Sequence, residues 1–546
     1  MTPQAYLDHA FKSTIQSLYG IELSDVIFEQ PRDASHGDLA CTVAFQLAKP
    51  LKKAPREIAL EIAEAIDKKD VIASLDVAGP GFINITLAKA TLYDVIPRIL
   101  NDFDTFKAPD AGKKQKILLE FVSVNPTGLM HIGHARGAAS GDTLARLLSQ
   151  TGFDVLREYY VNDAGNQIDN LAKSLYVRYL EALGETATMP EDGYHGEDIK
   201  ALGKKIADED GRQWVDHKDA HQAFKTKGLN ALLDDIKTDL AQAKVTFDSF
   251  YHETSLYEQG HVDDVLNRLK ASGYTYEKDG ALYLKTSAKG DEKDRVLVKS
   301  SGDYTYILPD IAYHEQKFLR GYTHLIDILG TDHHGYIARL KAALEILGHD
   351  ANALEVLLIQ LVRVIRDGVE VKMSKRSGQS LSLRDLLDDV GPDPIRYFFA
   401  ARSLNTHMDL DLNLAEKQRN ENPVYYVQYA HARIASLLKK AADLGYDVST
   451  PLTTHDTLNM DSITALLNHL RAYPDMLEKA ALSREIHKIP NYLHELASLF
   501  HRWYGEEKLI TEDETYSRER VSLLIAIQSV LANGLELIGV SAPEVM

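Results

Sequence analysis

The stretch that decides the architecture runs Lys116-Ile117-Leu118-Leu119-Glu120-Phe121-Val122-Ser123-Val124, and continues Asn125-Pro126-Thr127-Gly128-Leu129-Met130-His131-Ile132-Gly133-His134. Its first nine residues are almost continuously apolar, as in a strand buried on both faces of a parallel sheet. Asn125 to Gly128 are turn formers. A helical pattern then runs through Leu147 and Leu148 to near Gly152, and a second strand-like run covers Val155 to Val161. Strand, turn, helix and strand make a βαβ unit. The alternation resumes with a strand at Leu325 to Leu329, a helix at Tyr336 to Leu347, and an apolar run of either type from Leu354 to Ile365. The pattern predicts an α/β domain with a doubly wound, Rossmann-like parallel sheet.

Outward from that unit the pattern changes twice. Toward the amino terminus, helical patterns at Pro3 to Tyr19 and Pro55 to Ile66 and a strand at Phe82 to Ile85 predict a mixed α+β domain. A polar break from Asp110 to Gln115 separates it from the sheet domain. From about Leu412 the patterns are helical, including Val424 to Ala442, Leu458 to Ala472 and Val521 to Leu537. The expected domains are therefore 1–110 (α+β), 111–411 (Rossmann-like, with an insertion at about 184–300) and 412–546 (all-α). Three domains suit 546 residues at about 150 residues each.

Composition narrows the class. A 45% hydrophobic and 26% charged chain is an ordinary globular protein, which excludes collagen-like and disordered readings. No apolar run reaches the ~20 residues of a membrane span, and no signal peptide opens the chain, so a cytoplasmic protein without a membrane partner is expected. The single cysteine, Cys41, cannot build a multi-cysteine cluster, so no zinc is expected. A net charge of −19 weighs mildly against a polyanionic partner, but nucleic-acid affinity depends on a local basic footprint.

Two segments carry chemistry. His131 and His134 flank Gly133 at a helix amino terminus, where unpaired N–H groups and the helix dipole favour phosphate. Two capping or core histidines would be the bland alternative. A metal pair ranks lower, because the glutamate of the zinc-protease helix motif is missing. The second segment, Lys372-Met373-Ser374-Lys375-Arg376-Ser377-Gly378, gathers three cations within five residues, enough to stabilise charge on a leaving pyrophosphate. Alone it would also suit a solvated basic loop.

Together the pair resembles the signatures of class I aminoacyl-tRNA synthetases, and more narrowly the arginyl-tRNA synthetase family. The closer resemblance rests on His36-Gly37-Asp38, Gly79-Pro80-Gly81-Phe82, Tyr160-Val161-Asn162-Asp163-Ala164-Gly165, Asp332-His333-His334-Gly335-Tyr336 and Tyr426-Val427-Gln428-Tyr429-Ala430-His431-Ala432-Arg433. It spans the chain. Leu129 and Met130 depart from the family's usual proline and leucine, without removing a catalytic group.

The resemblance implies ATP-dependent activation of L-arginine to arginyl-adenylate, then transfer to the 2′-hydroxyl of the terminal adenosine of tRNA(Arg). It assigns catalysis to His131, His134, Lys372 and Lys375, and ATP binding to those histidines with Gly133, Asp332, His333, His334, Met373, Ser374 and Lys375. Arginine would be held by Glu120, Ser123, Asn125, Tyr306 and Asp310. A buried Glu120 could alternatively serve an internal ion pair with Arg363 or Arg366. Tyr425, Tyr429 and Arg433, spaced by four, share a helix face that could stack on anticodon bases, or pack as core. Phe82 and Asp38 would contact tRNA from the first domain. Mg2+ is expected to accompany ATP, bound mainly through phosphates, and the enzyme is expected to be a monomer whose activation step depends on bound tRNA. A class I synthetase for glutamate or lysine, or a nucleotidylyltransferase, is the competing reading.

Overall fold

A computed structural model describes residues 3–29, 31, 36–69, 71–371, 381–450, 452, 456–458 and 460–546, with the backbone alone at 3–5, 89, 90, 332 and 334. Five parallel strands form the central sheet: β1 (Lys116–Glu120), β2 (Asp154–Val161), β3 (Ser249–His252), β4 (His324–Gly330) and β5 (Leu354–Ile359), in the order β5-β4-β1-β2-β3. The chain runs outward from β1 in one direction through β2 to β3, then returns to its other side through β4 and β5. The strand order thus reverses between β1 and β4, and the crevice at their carboxyl ends is where such sheets bind ligands.

The strands differ from the sequence pattern in three informative places. β1 stops at Glu120 instead of Val124, because Val122 and Ser123 take left-handed backbone angles (φ 70° and 42°) that no strand tolerates. The ambiguous run from Leu354 divides at Gln360 and Leu361. Its first half is β5, and its second, Val362–Arg366, pairs in parallel with Met408–Asp411 in a separate three-stranded sheet. β3 falls inside the expected insertion yet is the edge strand of the central sheet; four half-buried residues are too short to announce it.

Helix α1 (Ile132–Gln150) crosses from β1 to β2 and is buried along nearly its whole length. Small residues permit that approach: a Cβ on Gly141 would lie 2.3 Å from the Phe121 ring. Its buried Arg136 donates to the backbone carbonyls of Gln360 and Thr406 (2.9 Å each) and Ser403 (2.8 Å), tying the helix to the split after β5. Helix α2 (Ile307–Leu319) leads into β4. Two short helices, α3 (Leu383–Val390) and α4 (Pro392–Ala400), lie in the chain between Val362–Arg366 and Met408–Asp411 of the second sheet.

The amino-terminal part packs the helix Pro3–Tyr19 against a four-stranded antiparallel sheet that includes Phe82–Leu87, as the α+β expectation requires. From Leu412 onward the chain is helical, with α5 (Pro423–Asp443) and α6 (Glu514–Leu537) packed together. One correction concerns α6. Its length and composition would suffice to cross a membrane, contrary to the expectation that no stretch reaches that size, but 72% of its apolar window is buried against the rest of the protein. An apolar core continuous from Leu7 to Val540 joins the three parts.

Candidate active site

The crevice at the β1/β4 switch opens into a cleft of about 1260 Å³. Glu120, Ser123, Asn125, His131, Gly133, His134, Asp310 and His333 all line it. Residues dispersed over more than 200 positions therefore share one cleft, because β1 and β4 end there and α1 and α2 begin there.

His131 caps α1. Its Nδ1 accepts from the Gly133 N–H at 3.2 Å, and Nδ1 of His134 accepts from the His131 N–H at 3.3 Å. The rings stack with centroids 3.6 Å apart. Burial pushes the His131 imidazole below the usual range; burial and then the neighbouring His131 push His134 down to about 4. Both rings are accordingly neutral at pH 7, with the proton on Nε2 because Nδ1 accepts. Each presents an N–H donor at the positive end of a helix, suited to a phosphate oxygen.

The other wall is acidic. Asp310, on the first turn of α2, accepts from the Tyr336 hydroxyl. Burial, and then Glu120 and Glu253 nearby, push its carboxyl up to about 7. Glu120 Oε1 accepts from the Ser123 hydroxyl at 2.9 Å, and that same oxygen of Ser123 accepts from the Tyr160 N–H at 3.0 Å. The left-handed turn at Val122 and Ser123, costly for a β-branched residue, is what folds Ser123 back onto Glu120. Asn125 donates to Gln167 at 2.9 Å. Glu120 does form an internal ion pair, but neither Arg363 nor Arg366 is its partner. Its Oε2 lies 2.6 Å from Lys317 Nζ, while Arg363 pairs with Asp409 and Arg366 with Asp389 and Glu416.

Several expected residues stand elsewhere. Tyr306 is 88% exposed and is not among the residues lining the cleft. Asp38 is engaged internally: it accepts from the Leu87 N–H at 2.8 Å and from Asn468 of the helical part at 3.1 Å, a joint between domains. Phe82 is 39% exposed and meets Phe45 edge-on. On α5, Tyr425 and Tyr429 stack at 5.9 Å, and Arg433 lies 4.4 Å over Tyr429 and 4.5 Å over Tyr504. The spacing of four does gather these three on one half-buried face. The calls on Lys372, Met373, Ser374 and Lys375, and on the side chains of Asp332 and His334, lie outside the described residues.

Sequence reasoning missed Tyr336 as the partner of Asp310, together with His314 and Asp327 in the cleft lining and Lys317 beneath it. The spacing of Asp310, His314 and Lys317 along one helix was available in the sequence; the β1/β4 register that brings Asp327 beside Glu120 was not.

Three family models match. Residues 5–87 match the arginyl tRNA synthetase N terminal domain, 95–396 the catalytic domain of class I (R) tRNA synthetases, and 427–546 the DALR anticodon binding domain. The chain is 49% identical over 529 residues to the arginine–tRNA ligase of Geobacillus thermodenitrificans, covering 96% of this chain and 95% of that one. It is 48% identical, with the same coverage, to the Bacillus subtilis arginine–tRNA ligase. The fold superposes on Thermus thermophilus arginyl-tRNA synthetase with a TM-score of 0.77 over the full length of both chains, at 23% identity.

Proposed function

The chain belongs to the arginyl-tRNA synthetase family, and from that premise we propose how its cleft divides the work of an arginine–tRNA ligase. The observation that carries the reading is the meeting of two opposite chemistries in one cleft: neutral imidazole donors at the head of α1, and carboxylates where β1, β4 and α2 converge.

Arginine's guanidinium carries five N–H donors in a plane and no acceptor, so its partners must be acceptors. Asp310 and Glu120 supply them, with Asn125 and Ser123 toward the α-carboxylate and α-amine. His131 and His134 donate to the triphosphate of ATP, which enters with Mg2+ on its phosphates; Gly133 lets it approach the backbone, and His333 stands on the nucleotide side. The α-carboxylate of arginine attacks the α-phosphorus of ATP, arginyl-adenylate forms and pyrophosphate departs. Lys372 and Lys375 stabilise the leaving charge, with Met373 and Ser374 between them. The 2′-hydroxyl of the terminal adenosine of tRNA(Arg) then takes the arginyl group and releases AMP. No group on the enzyme becomes covalently attached, so positioning and charge stabilisation supply the rate.

Tyr425, Tyr429 and Arg433 offer stacking planes to unpaired anticodon bases, and Phe82 an exposed ring in the first domain. We take the enzyme to act as a monomer in the cytoplasm. The direct test is tRNA charging with each of the twenty amino acids. Arginine should be transferred in strong preference; preferential transfer of glutamate or lysine would overturn the specificity while leaving the fold intact.

A further inference from the structure

Beneath the cleft lies a buried cation that the mechanism above does not use. In the register of the parallel sheet, Glu158 of β2, Glu120 of β1 and Asp327 of β4 stand directly side by side. Three neighbouring like charges across a sheet are destabilising unless cations answer them. One helix and its cap answer. Arg320, at the end of α2, pairs with Glu158 at 2.6 and 2.7 Å, and His314 Nε2 lies 2.7 Å from Asp327 Oδ2. Between them Lys317 Nζ reaches Glu120 Oε2 at 2.6 Å and Asp327 Oδ1 at 2.9 Å, and lies 4.3 Å over the Tyr313 ring. Its side chain is fully buried. Glu120, His314 and Asp327 bring donor atoms within 4.8 Å of one another, a spacing that suits a bound cation. The cation standing among them is the protein's own ammonium.

We infer that Lys317 is a positioning residue for arginine recognition: by bridging Glu120 and Asp327 it answers the charge of both and fixes Glu120 in the cleft wall. The inference rests on the reading of Glu120 and Asp310 as the guanidinium-binding carboxylates. Without the bridge, two carboxylates this close would share a proton. A protonated Glu120 presents an O–H where the guanidinium, which has only donors, requires an acceptor. The local electrostatics agree. Burial alone would raise the Asp327 carboxyl, but Lys317 and His314 hold it well below the usual range; burial would lower the Lys317 ammonium, but Asp327 and Glu120 hold it above.

The test uses the full chain in tRNA charging, with arginine and ATP varied separately. Lys317→Met keeps the length of the side chain and removes its charge. It should raise the KM for arginine about tenfold or more and leave the KM for ATP within about twofold. Combining it with Asp327→Asn removes the carboxylate that competes for the shared proton, and should bring the arginine KM back to within about threefold of wild type. A packing role would leave the double variant as impaired as the single. An unchanged arginine KM in Lys317→Met overturns the inference, and so does a double variant no better than the single. If Lys317→Met does not fold by circular dichroism, the double variant decides: folded with near-wild-type arginine KM supports the bridge, whereas misfolding or a tenfold raised KM overturns it. Asp310→Ala run in parallel separates the two layers, since an unchanged arginine KM there would reject the pocket assignment whatever Lys317 does.

Discussion

His131 and Ser382 form an isolated antiparallel backbone bridge, and the adjacent Leu383 N–H donates to the Met130 carbonyl at 2.7 Å. Residues far apart in sequence are thereby joined at the head of α1. Ser382 also caps α3, its hydroxyl oxygen accepting from the Asp385 N–H at 3.1 Å, so the bridge depends on an intact helix start. Ser382→Ala should cost about 1 kcal/mol in urea unfolding. It should also raise the KM for ATP severalfold in pyrophosphate exchange with tRNA present, leaving the arginine KM unchanged. An unaltered ATP KM would mean that the cap and the histidine turn are independent.

The Asp310 carboxyl, pushed up to about 7, sets a pH dependence for arginine. Below that value it is protonated and cannot pair with a guanidinium, so affinity is present above about pH 7 and is lost as pH falls. The arginine KM should rise toward about tenfold per pH unit below 7. The histidine pair, pushed down, stays neutral over that range and leaves the ATP KM flat. Asp310→Ala should abolish the arginine dependence along with most of the affinity. An arginine KM constant from pH 6 to pH 8 would contradict this assignment.

Removing a preorganised donor from a phosphoryl-type transition state costs roughly 10²- to 10³-fold in rate. His134→Ala should slow activation by that factor at saturating substrates, and Lys375→Ala by a similar one. Single-turnover adenylate formation measures it. Near-wild-type rates in both would remove the histidine turn and the lysine segment from the chemistry.

A buried charge cluster holds α1 to its neighbours. Arg396 of α4 donates to Asp142 Oδ2 at 2.6 Å, to the Ile538 carbonyl at 2.7 Å and to the Ala243 carbonyl at 3.0 Å. Arg396→Met removes a donor from the buried Ile538 and Ala243 carbonyls, while Asp142 Oδ2 keeps Arg146 Nε at 2.7 Å, and should cost about 1–3 kcal/mol. Gly539→Ala attacks the same cluster from outside: at φ +68° its Cβ would sit 2.1 Å from Arg396 Nε. It should destabilise by more than about 1 kcal/mol in thermal unfolding, with the arginine KM of the folded fraction preserved.

Where particular residue types recur at short spacing, the sequence was readable. The βαβ unit, the histidine turn, the α5 stripe and the three-part organisation follow from local periodicity and turn chemistry. Contacts set by tertiary register were not. Nothing local places Lys317 rather than Arg363 against Glu120, because the choice depends on α2 descending onto β1 and β4. Asp38, which the resemblance assigns to tRNA contact, gives no local sign of the Asn468 that stands opposite it. β3 was hidden by its brevity, and the end of β1 by a backbone turn at Val122 that a valine disfavours.

Arg136 has a consequence for biogenesis. Its first carbonyl partner, Gln360, lies 224 residues further along, and Thr406 and Ser403 later still. A ribosome that has completed the first βαβ unit has therefore produced a segment whose central guanidinium still lacks every acceptor it will eventually bury. That segment cannot seal during early elongation. Burial of Arg136 together with its acceptors waits on contacts of high sequence separation, the kind that form slowly.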